Sequence, residues 1–232
     1  MTRMSAFPSA WWNAPPHTWG RAVYGVVLNH RPALAALGDA VHQPPHKAPP
    51  LWPVLYIKPR NTHTGDGAVT VPADAPELEL GATLGVVMAK PTRDVTAQDA
   101  LGHVAGYVCV ADVRVPHHQF YRPQVRLLAR DGFCPMAERI TPAEQVPDPD
   151  NLAVSVWLDG ERVHQATTAD RIRGVAQLIA DVTSFMTLSA GDILLLGVSH
   201  GAPRVRAGQS SRIEIQGLTP LTNHFVAETE AQ

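Results

Sequence analysis

Short apolar runs, separated by proline and glycine, dominate the sequence, and long amphipathic segments are rare. An apolar run between turn residues predicts a buried strand, and alternation of apolar with polar residues predicts a half-buried one. The 21 prolines lie between such runs, which favours many short strands over long helices. The predicted strands are residues 23–28, 54–57, 83–88, 106–113, 152–157, 193–198 and 211–215.

The clearest turn signal is Asp159-Gly160, which lies between the alternating strand 152–157 and a partner at residues 161–165. A type I′ turn requires positive φ at both central residues, and Asp and Gly tolerate that conformation. We therefore predict a β-hairpin here.

One long and one short helix are predicted. The short helix begins at Thr96, where Asp99 completes a capping-box pattern, and runs to about His103. The long helix spans residue 169 to about residue 186, with Thr167 or Thr168 as its cap. Its apolar face consists of Ile172, Val175, Leu178, Ile179, Val182 and Met186. The sum is a β-rich α+β fold, with a loose N-terminal arm at residues 1–20 and a single domain at residues 21–232.

Composition excludes two classes of function. The formal net charge of −2 provides no basic surplus for a nucleic-acid backbone. No apolar run reaches the roughly 20 residues of a membrane-spanning helix, and no signal-peptide core is found, so we expect a cytoplasmic protein. Cys109 and Cys134 match no CxxC pattern and are predicted to be core thiols, with a disulfide between them as the alternative.

Five motifs follow one another in a distinctive order. They are Ile57-Lys58-Pro59, Gly106-Tyr107 before Ala111-Asp112, Asp-Gly-Phe-Cys-Pro at 131–135, Asp159-Gly160-Glu161, and Ala190-Gly191-Asp192 before Leu196-Gly197. This order resembles the fumarylacetoacetate hydrolase family, which implies a mixed β-sandwich roll. Segments 28–31, 58–62, 120–123 and 130–135 are similar to the N-terminal half of the family's two-part isomerase/decarboxylases. A separate chain of this length is then expected to be the first subunit of such an enzyme.

The resemblance also implies a metal, because the family holds Mg²⁺ or Mn²⁺ with a Glu-x-Glu pair and an aspartate. The corresponding positions here are Gly81, Thr83 and Asp112, so only Asp112 offers a carboxylate. A neutral hydroxyl is a poor ligand for a hard divalent cation. We therefore expect metal binding by this chain to be absent or weak. Further departures from the family pattern occur at Ala111, Leu128 and Val198.

Two alternative sources of chemistry remain open. Glu77 and Glu79 are spaced by two residues and are candidates for a displaced metal pair, or else for a solvated strand entrance. His117 and His118 are candidate general acids or bases, since histidine titrates near neutral pH, or else loop residues that face solvent.

The resemblance and the residue types together indicate a set of substrate-binding residues. Arginine offers carboxylates a two-pronged fork, although surface ion pairing is the alternative role. The candidates are Lys58, Arg60, Asn61, Tyr121, Arg122 and Arg130. His200 is a further candidate for the mouth of the site, and Trp11 and Trp12 are expected to pack on a neighbouring subunit.

Two functional hypotheses follow from the resemblance. In the first, the chain is a subunit of an isomerase/decarboxylase that acts on dicarboxylate and tricarboxylate 2-oxo acids in 4-hydroxyphenylacetate catabolism. In the second, it is a non-catalytic or ligand-binding partner of a homologue that carries Glu-x-Glu. Both imply a homodimer or a heterodimer. A metal-free isomerase that uses His117 or His118 is a third, weaker possibility.

Overall fold

The computed structural model describes residues 7–117 and 124–228. The strands in these residues are β1 (Val23–Val27), β2 (Val54–Lys58), β3 (His63–Thr64), β4 (Gly67–Val71), β5 (Leu78–Met88), β6 (Val104–Arg114), β7 (Cys134–Pro135), β8 (Thr141–Pro142), β9 (Ala153–Leu158), β10 (Glu161–Thr167), β11 (Ile193–Leu195), β12 (Arg204–Val205), β13 (Ser210–Ile215) and β14 (Leu221–Ala227). The α-helices are α1 (Pro16–Trp19), α2 (Arg31–Ala35), α3 (Ala97–Ala100), α4 (Val125–Leu128) and α5 (Val175–Thr183).

Two large sheets form the body of the domain. A seven-stranded mixed sheet has the order β2-β1-β11-β5-β6-β8, with β12 paired to the outer part of β5. A five-stranded sheet has the order β10-β9-β13-β14-β4, and β3 pairs with β7 as a small third sheet. The large sheets pack through β5 and β6 against β9, β13 and β14. The β-rich α+β sandwich expected from the sequence is confirmed.

The central pair β5–β6 anchors the core because both of its faces are covered. Every residue of β5 except Glu79 is buried, and so is every residue of β6 before Arg114. Predicted strand 83–88 therefore begins earlier than expected, at Leu78. Cys109 and Cys134 are free thiols buried in this core, where burial raises the pKa of Cys134 to about 12. The expectation of core thiols is confirmed, and the two do not form a disulfide.

The predicted hairpin is confirmed. β9 and β10 pair in antiparallel register from Leu158 and Glu161 onward. Asp159 and Gly160 both have positive φ, at 50° and 87°, as a type I′ turn requires. The short predicted helix is also confirmed, as α3 followed by a 3-10 turn at Leu101–His103, with the Thr96 hydroxyl capping the Asp99 amide.

The prediction of one long helix at residues 169–186 is wrong. Helix α5 has nine residues, and Thr168–Asp170 forms a separate 3-10 turn. Between them the buried Asn29 side chain accepts a hydrogen bond from the Arg173 amide at 2.8 Å and donates to the Arg173 carbonyl at 2.9 Å. Both backbone groups are thereby diverted from helical hydrogen bonding. The N-cap residue of α5 is Gly174, and Asp150, remote in sequence, accepts from the Val175 amide through its Oδ1 at 2.8 Å.

The described part of the N-terminal arm packs on its own domain. Phe7 lies edge-on to Trp11, Trp12 and Trp19, and Trp11 stacks on Trp19 with ring centroids 4.7 Å apart. Phe7, Trp12 and Trp19 contact the hydrophobic core. Over the described residues, no helix is long and apolar enough to cross a membrane.

Candidate active-site cleft

A cleft of about 360 Å³ opens beside the C-terminal end of β1 and the N-terminal end of β5. One side is formed by residues 26–28 and helix α2, and another by the segment 198–204 that follows β11. Tyr56, Glu79, Arg114 and His117 complete the lining. The polar groups of the cleft thus come from strands of one sheet, from His117 in the segment after β6, and from the loop after β11.

The single carboxylate expected from the resemblance, Asp112, is part of an ion pair beside this cleft. Lys58 Nζ lies 2.7 Å from Asp112 Oδ1, and both side chains are fully buried. Lys58 Nζ also donates to the carbonyls of Val113, Leu128 and Phe133 at 2.6, 3.0 and 3.1 Å. Four oxygen partners therefore surround this ammonium, and it cannot turn into the cleft without abandoning them.

Tyr56 occupies the other oxygen of the same carboxylate. Its hydroxyl donates a hydrogen bond to Asp112 Oδ2. Burial and the negative charge of Asp112 raise the pKa of Tyr56 well above its ordinary value, so the phenol keeps its proton. The ring lies against Gly25, where a Cβ would come within 2.0 Å of the Tyr56 ring. Asp112 is thus neutralised by one cation and bonded by one neutral donor.

The residues around Asp112 do not fit a divalent metal ion. Gly81 pairs with Asp112 across β5 and β6, and a Cβ at Gly81 would lie 2.5 Å from Val198 Cγ2. The Val198 side chain therefore fills the space that a longer side chain at position 81 needs. Thr83 is buried and donates its hydroxyl to the Gly197 carbonyl at 3.0 Å. In residues 7–117 and 124–228, no three His, Cys, Asp or Glu side chains converge as metal ligands.

Glu77 and Glu79, the alternative metal pair, bind different arginines. Glu79 Oε1 accepts from Arg114 Nε at 2.6 Å, and its Oε2 lies 3.2 Å from Arg204 Nη1. Glu77 accepts from the exposed Arg206 at 2.9 Å and lies outside the cleft lining. One carboxylate between two guanidinium groups leaves the Glu79 side of the cleft with a net positive charge, which favours an anionic ligand.

The predicted substrate-binding residues are not brought together. Lys58 is buried in the ion pair, whereas Arg60 donates to the carbonyls of His17 and Thr18 in the arm. Asn61 donates to the Ala129 carbonyl at 3.0 Å. Arg130 donates to Asp74 at 2.6 Å on the surface. Arg60, Asn61 and Arg130 thus have structural partners away from the cleft lining.

Three further predicted residues, His118, Tyr121 and Arg122, lie outside the described residues. Their roles stay predictions. His117 and His200 both line the cleft, and the chemical roles suggested for them stay predictions.

Sequence reasoning missed Tyr56, Arg114, Arg171 and Ser199. Two of them carried a local signal, since Tyr56 is two residues before Lys58 and Arg114 two residues after Asp112 on strands whose side chains alternate. Arg171 and Ser199 carried no local signal, because their contact joins segments 28 residues apart. The helix predicted to contain Arg171 is also absent at that position.

Comparison with known proteins identifies relatives of this chain. The sequence matches the family described as fumarylacetoacetate (FAA) hydrolase C-terminal over residues 22–226. It is 36% identical over 208 residues to the 4-hydroxyphenylacetate degradation bifunctional isomerase/decarboxylase of Escherichia coli, covering 90% of this chain and 48% of that protein. The chain therefore spans about half the length of this relative.

Solved structures agree on the fold. The fumarylpyruvate hydrolase of Pseudomonas aeruginosa, in complex with Mn²⁺ and pyruvate, superposes with a TM-score of 0.78 at 24% identity, over 90% of this chain and 91% of that one. The 2-hydroxyhepta-2,4-diene-1,7-dioate isomerase of Mycobacterium marinum gives a TM-score of 0.71 at 25% identity, over 91% of this chain and 77% of that one.

Proposed function

Because the chain belongs to the fumarylacetoacetate hydrolase family, we propose that it is a subunit of an isomerase/decarboxylase of aromatic catabolism. Its reactions are isomerisation of 2-hydroxyhepta-2,4-diene-1,7-dioate and decarboxylation of 5-oxopent-3-ene-1,2,5-tricarboxylate. The support is the 36% identity to the Escherichia coli enzyme. The match covers 48% of that enzyme, which supports a role as one of two homologous parts.

The observation that carries the subunit role is the Lys58–Asp112 ion pair under the cleft. A carboxylate that already holds an ammonium at 2.7 Å has little negative charge left to attract a divalent cation. Gly81 supplies no ligand, and Val198 closes the space beside it. Turnover therefore requires a homologous subunit that carries both glutamates, in a heterodimer with this chain.

The chain's own contribution is to bind and orient an anionic substrate. Arg114 and Arg204 hold positive charge beside Glu79, and residues 26–28 with α2 form an apolar side of the cleft. Positioning of this kind lowers a barrier without any covalent step. His117 and His200 are the histidines of the described lining, and an imidazole can form a hydrogen bond to a bound substrate.

A second candidate function is binding without catalysis. The observation that favours it is that Asp112 and Glu79, the carboxylates at the cleft, are both ion-paired. A carboxylate held by a cation cannot contact the substrate without giving up that ion pair. Under this alternative the chain stabilises its partner or holds ligand for it.

The test is turnover of 2-hydroxyhepta-2,4-diene-1,7-dioate followed by ultraviolet absorbance. The purified chain is measured alone with Mg²⁺, then with a homologue that carries Glu-x-Glu, against that homologue alone. Activity of the mixture above that of the homologue supports the subunit role. Mixture activity equal to that of the homologue favours the binding alternative, and chelator-sensitive activity of the chain alone contradicts both.

A further inference from the structure

Arg171 is a buried cation with incomplete pairing. Its side chain sits at 3% exposure on the stretch between the Thr168–Asp170 turn and α5, where its backbone forms an isolated bridge with His30. Nη2 donates to Ser199 Oγ at 3.1 Å, whereas Nε and Nη1 are buried and have no partner among the described residues. Burying a charge without an ion pair costs free energy, and an anion bound nearby would offset that cost.

No carboxylate of the described part of the chain forms an ion pair with Arg171. Burial lowers the pKa of Arg171 to about 10, so the guanidinium remains charged at neutral pH, and Asp170 offsets this effect only through longer-range attraction. Burial lowers the pKa of the adjacent His30 to about 4, so that its neutral Nδ1 accepts hydrogen bonds from the Ala33 and His200 amides. The loop that carries Ser199 and His200 is therefore fixed in place by a neutral imidazole.

Ser199 connects this cation to the cleft. It lines the cleft together with His200, and Arg171 lies behind it, outside the lining. A serine hydroxyl has one hydrogen to donate and two lone pairs to accept. Because Ser199 Oγ accepts from the guanidinium, its own hydrogen stays free to donate, and the adjacent positive charge strengthens that donation.

We propose that Ser199, backed by Arg171 and flanked by His200, forms a carboxylate-binding subsite at the loop that follows β11. This inference rests on the proposed function, because it assigns one carboxylate of the dicarboxylate ligand to that loop. The Glu79–Arg114–Arg204 cluster, with its net positive charge, is left for the other carboxylate. Ser199 touches the ligand, and Arg171 is a positioning residue that acts through it.

The probes are heptanedioate, which does not react, and its monomethyl ester, titrated calorimetrically into the intact chain. The wild-type chain is expected to bind the dianion at least about 10-fold more tightly than the monoester, since a hydrogen bond to a charged group is of that strength. Ser199→Ala is expected to remove most of that preference. Arg171→Met is expected to do the same, with no further loss in the double variant, and Arg171→Lys to restore part of it.

Arg212→Met is the matched control, because this half-exposed arginine pairs with Glu214 on β13, away from the cleft lining. It is expected to leave the preference unchanged. If Arg171→Met does not fold, Ser199→Ala still decides, since it removes one oxygen atom. A wild-type preference that Ser199→Ala leaves intact overturns the subsite alone. A wild-type chain that does not bind heptanedioate overturns the subsite and also the dicarboxylate substrate class of the proposed function.

Discussion

Gly81 and Val198 form a complementary pair, and adding a side chain at Gly81 tests whether this packing closes the metal position. An ideal Cβ on Gly81 lies 2.5 Å from Val198 Cγ2, 2.9 Å from Val198 Cγ1 and 2.9 Å from the Asp112 carbonyl oxygen. Carbon atoms pack best at about 3.5–4.0 Å, so the closest contact is about 1 Å too short. Overpacking of this kind lowers the free energy of unfolding by about 1–3 kcal/mol. We expect Gly81→Ala to cause a loss in that range.

Val198→Ala removes both close carbon contacts and leaves only the contact with the Asp112 carbonyl oxygen. In that background Gly81→Ala is expected to be less damaging by about 1–2 kcal/mol, as measured by a double-mutant cycle in urea. Gly102→Ala is the control, because a Cβ there meets no atom within 4 Å. The packing argument is refuted if Gly81→Ala has the same effect in both backgrounds, or if it is as mild as Gly102→Ala.

Three further predictions concern Lys58, Asp150 and His30. Lys58→Met leaves the buried Asp112 charge without its ion pair and is expected to lower the free energy of unfolding by about 3–5 kcal/mol. Adding Asp112→Asn in that background is expected to recover part of the loss. Urea titration of the wild type, the two single variants and the double variant measures both effects. Asp150→Ala removes the cap on the Val175 amide and is expected to lower the urea unfolding free energy by about 1 kcal/mol, whereas an unchanged value contradicts the assigned helix start. The pKa of His30 is about 4 in the folded chain and near 6.5 when unfolded, so the unfolded chain takes up the proton first and stability falls as pH drops through that window. This contribution is at most about 3 kcal/mol, and the pH dependence of unfolding should be shallower in His30→Asn, which keeps an acceptor but not the titration.

Local signals predicted much of the fold. Alternation and turn residues located β9 and β10, and the Thr96 hydroxyl caps α3 as its sequence position indicates. The long helix failed because the periodicity of residues 169–186 carries no information about Asn29, whose side chain takes both backbone groups of Arg173. That competition comes from a residue 144 positions away, so a local pattern cannot show it.

Only part of the candidate site was predicted, because several of its contacts join residues that are distant in sequence. The motif order pointed to Asp112, and the departure from the family pattern at Gly81 coincides with Val198, which fills the space beside Gly81. Lys58 was expected to reach substrate, but the four oxygens that surround its ammonium belong to residues distant in sequence. Arg171 contacts Ser199 from a non-helical backbone position, whereas the prediction had placed Arg171 inside a helix.

The most direct test of the account is Mn²⁺ binding by the purified chain, followed by electron paramagnetic resonance. The central claim is that Lys58 neutralises Asp112 and that, within residues 7–117 and 124–228, no other carboxylate completes a metal site around it. The account predicts no saturable Mn²⁺ binding up to millimolar concentration, in the wild-type chain and in Asp112→Asn alike. Stoichiometric binding at micromolar Mn²⁺ that Asp112→Asn abolishes would contradict it.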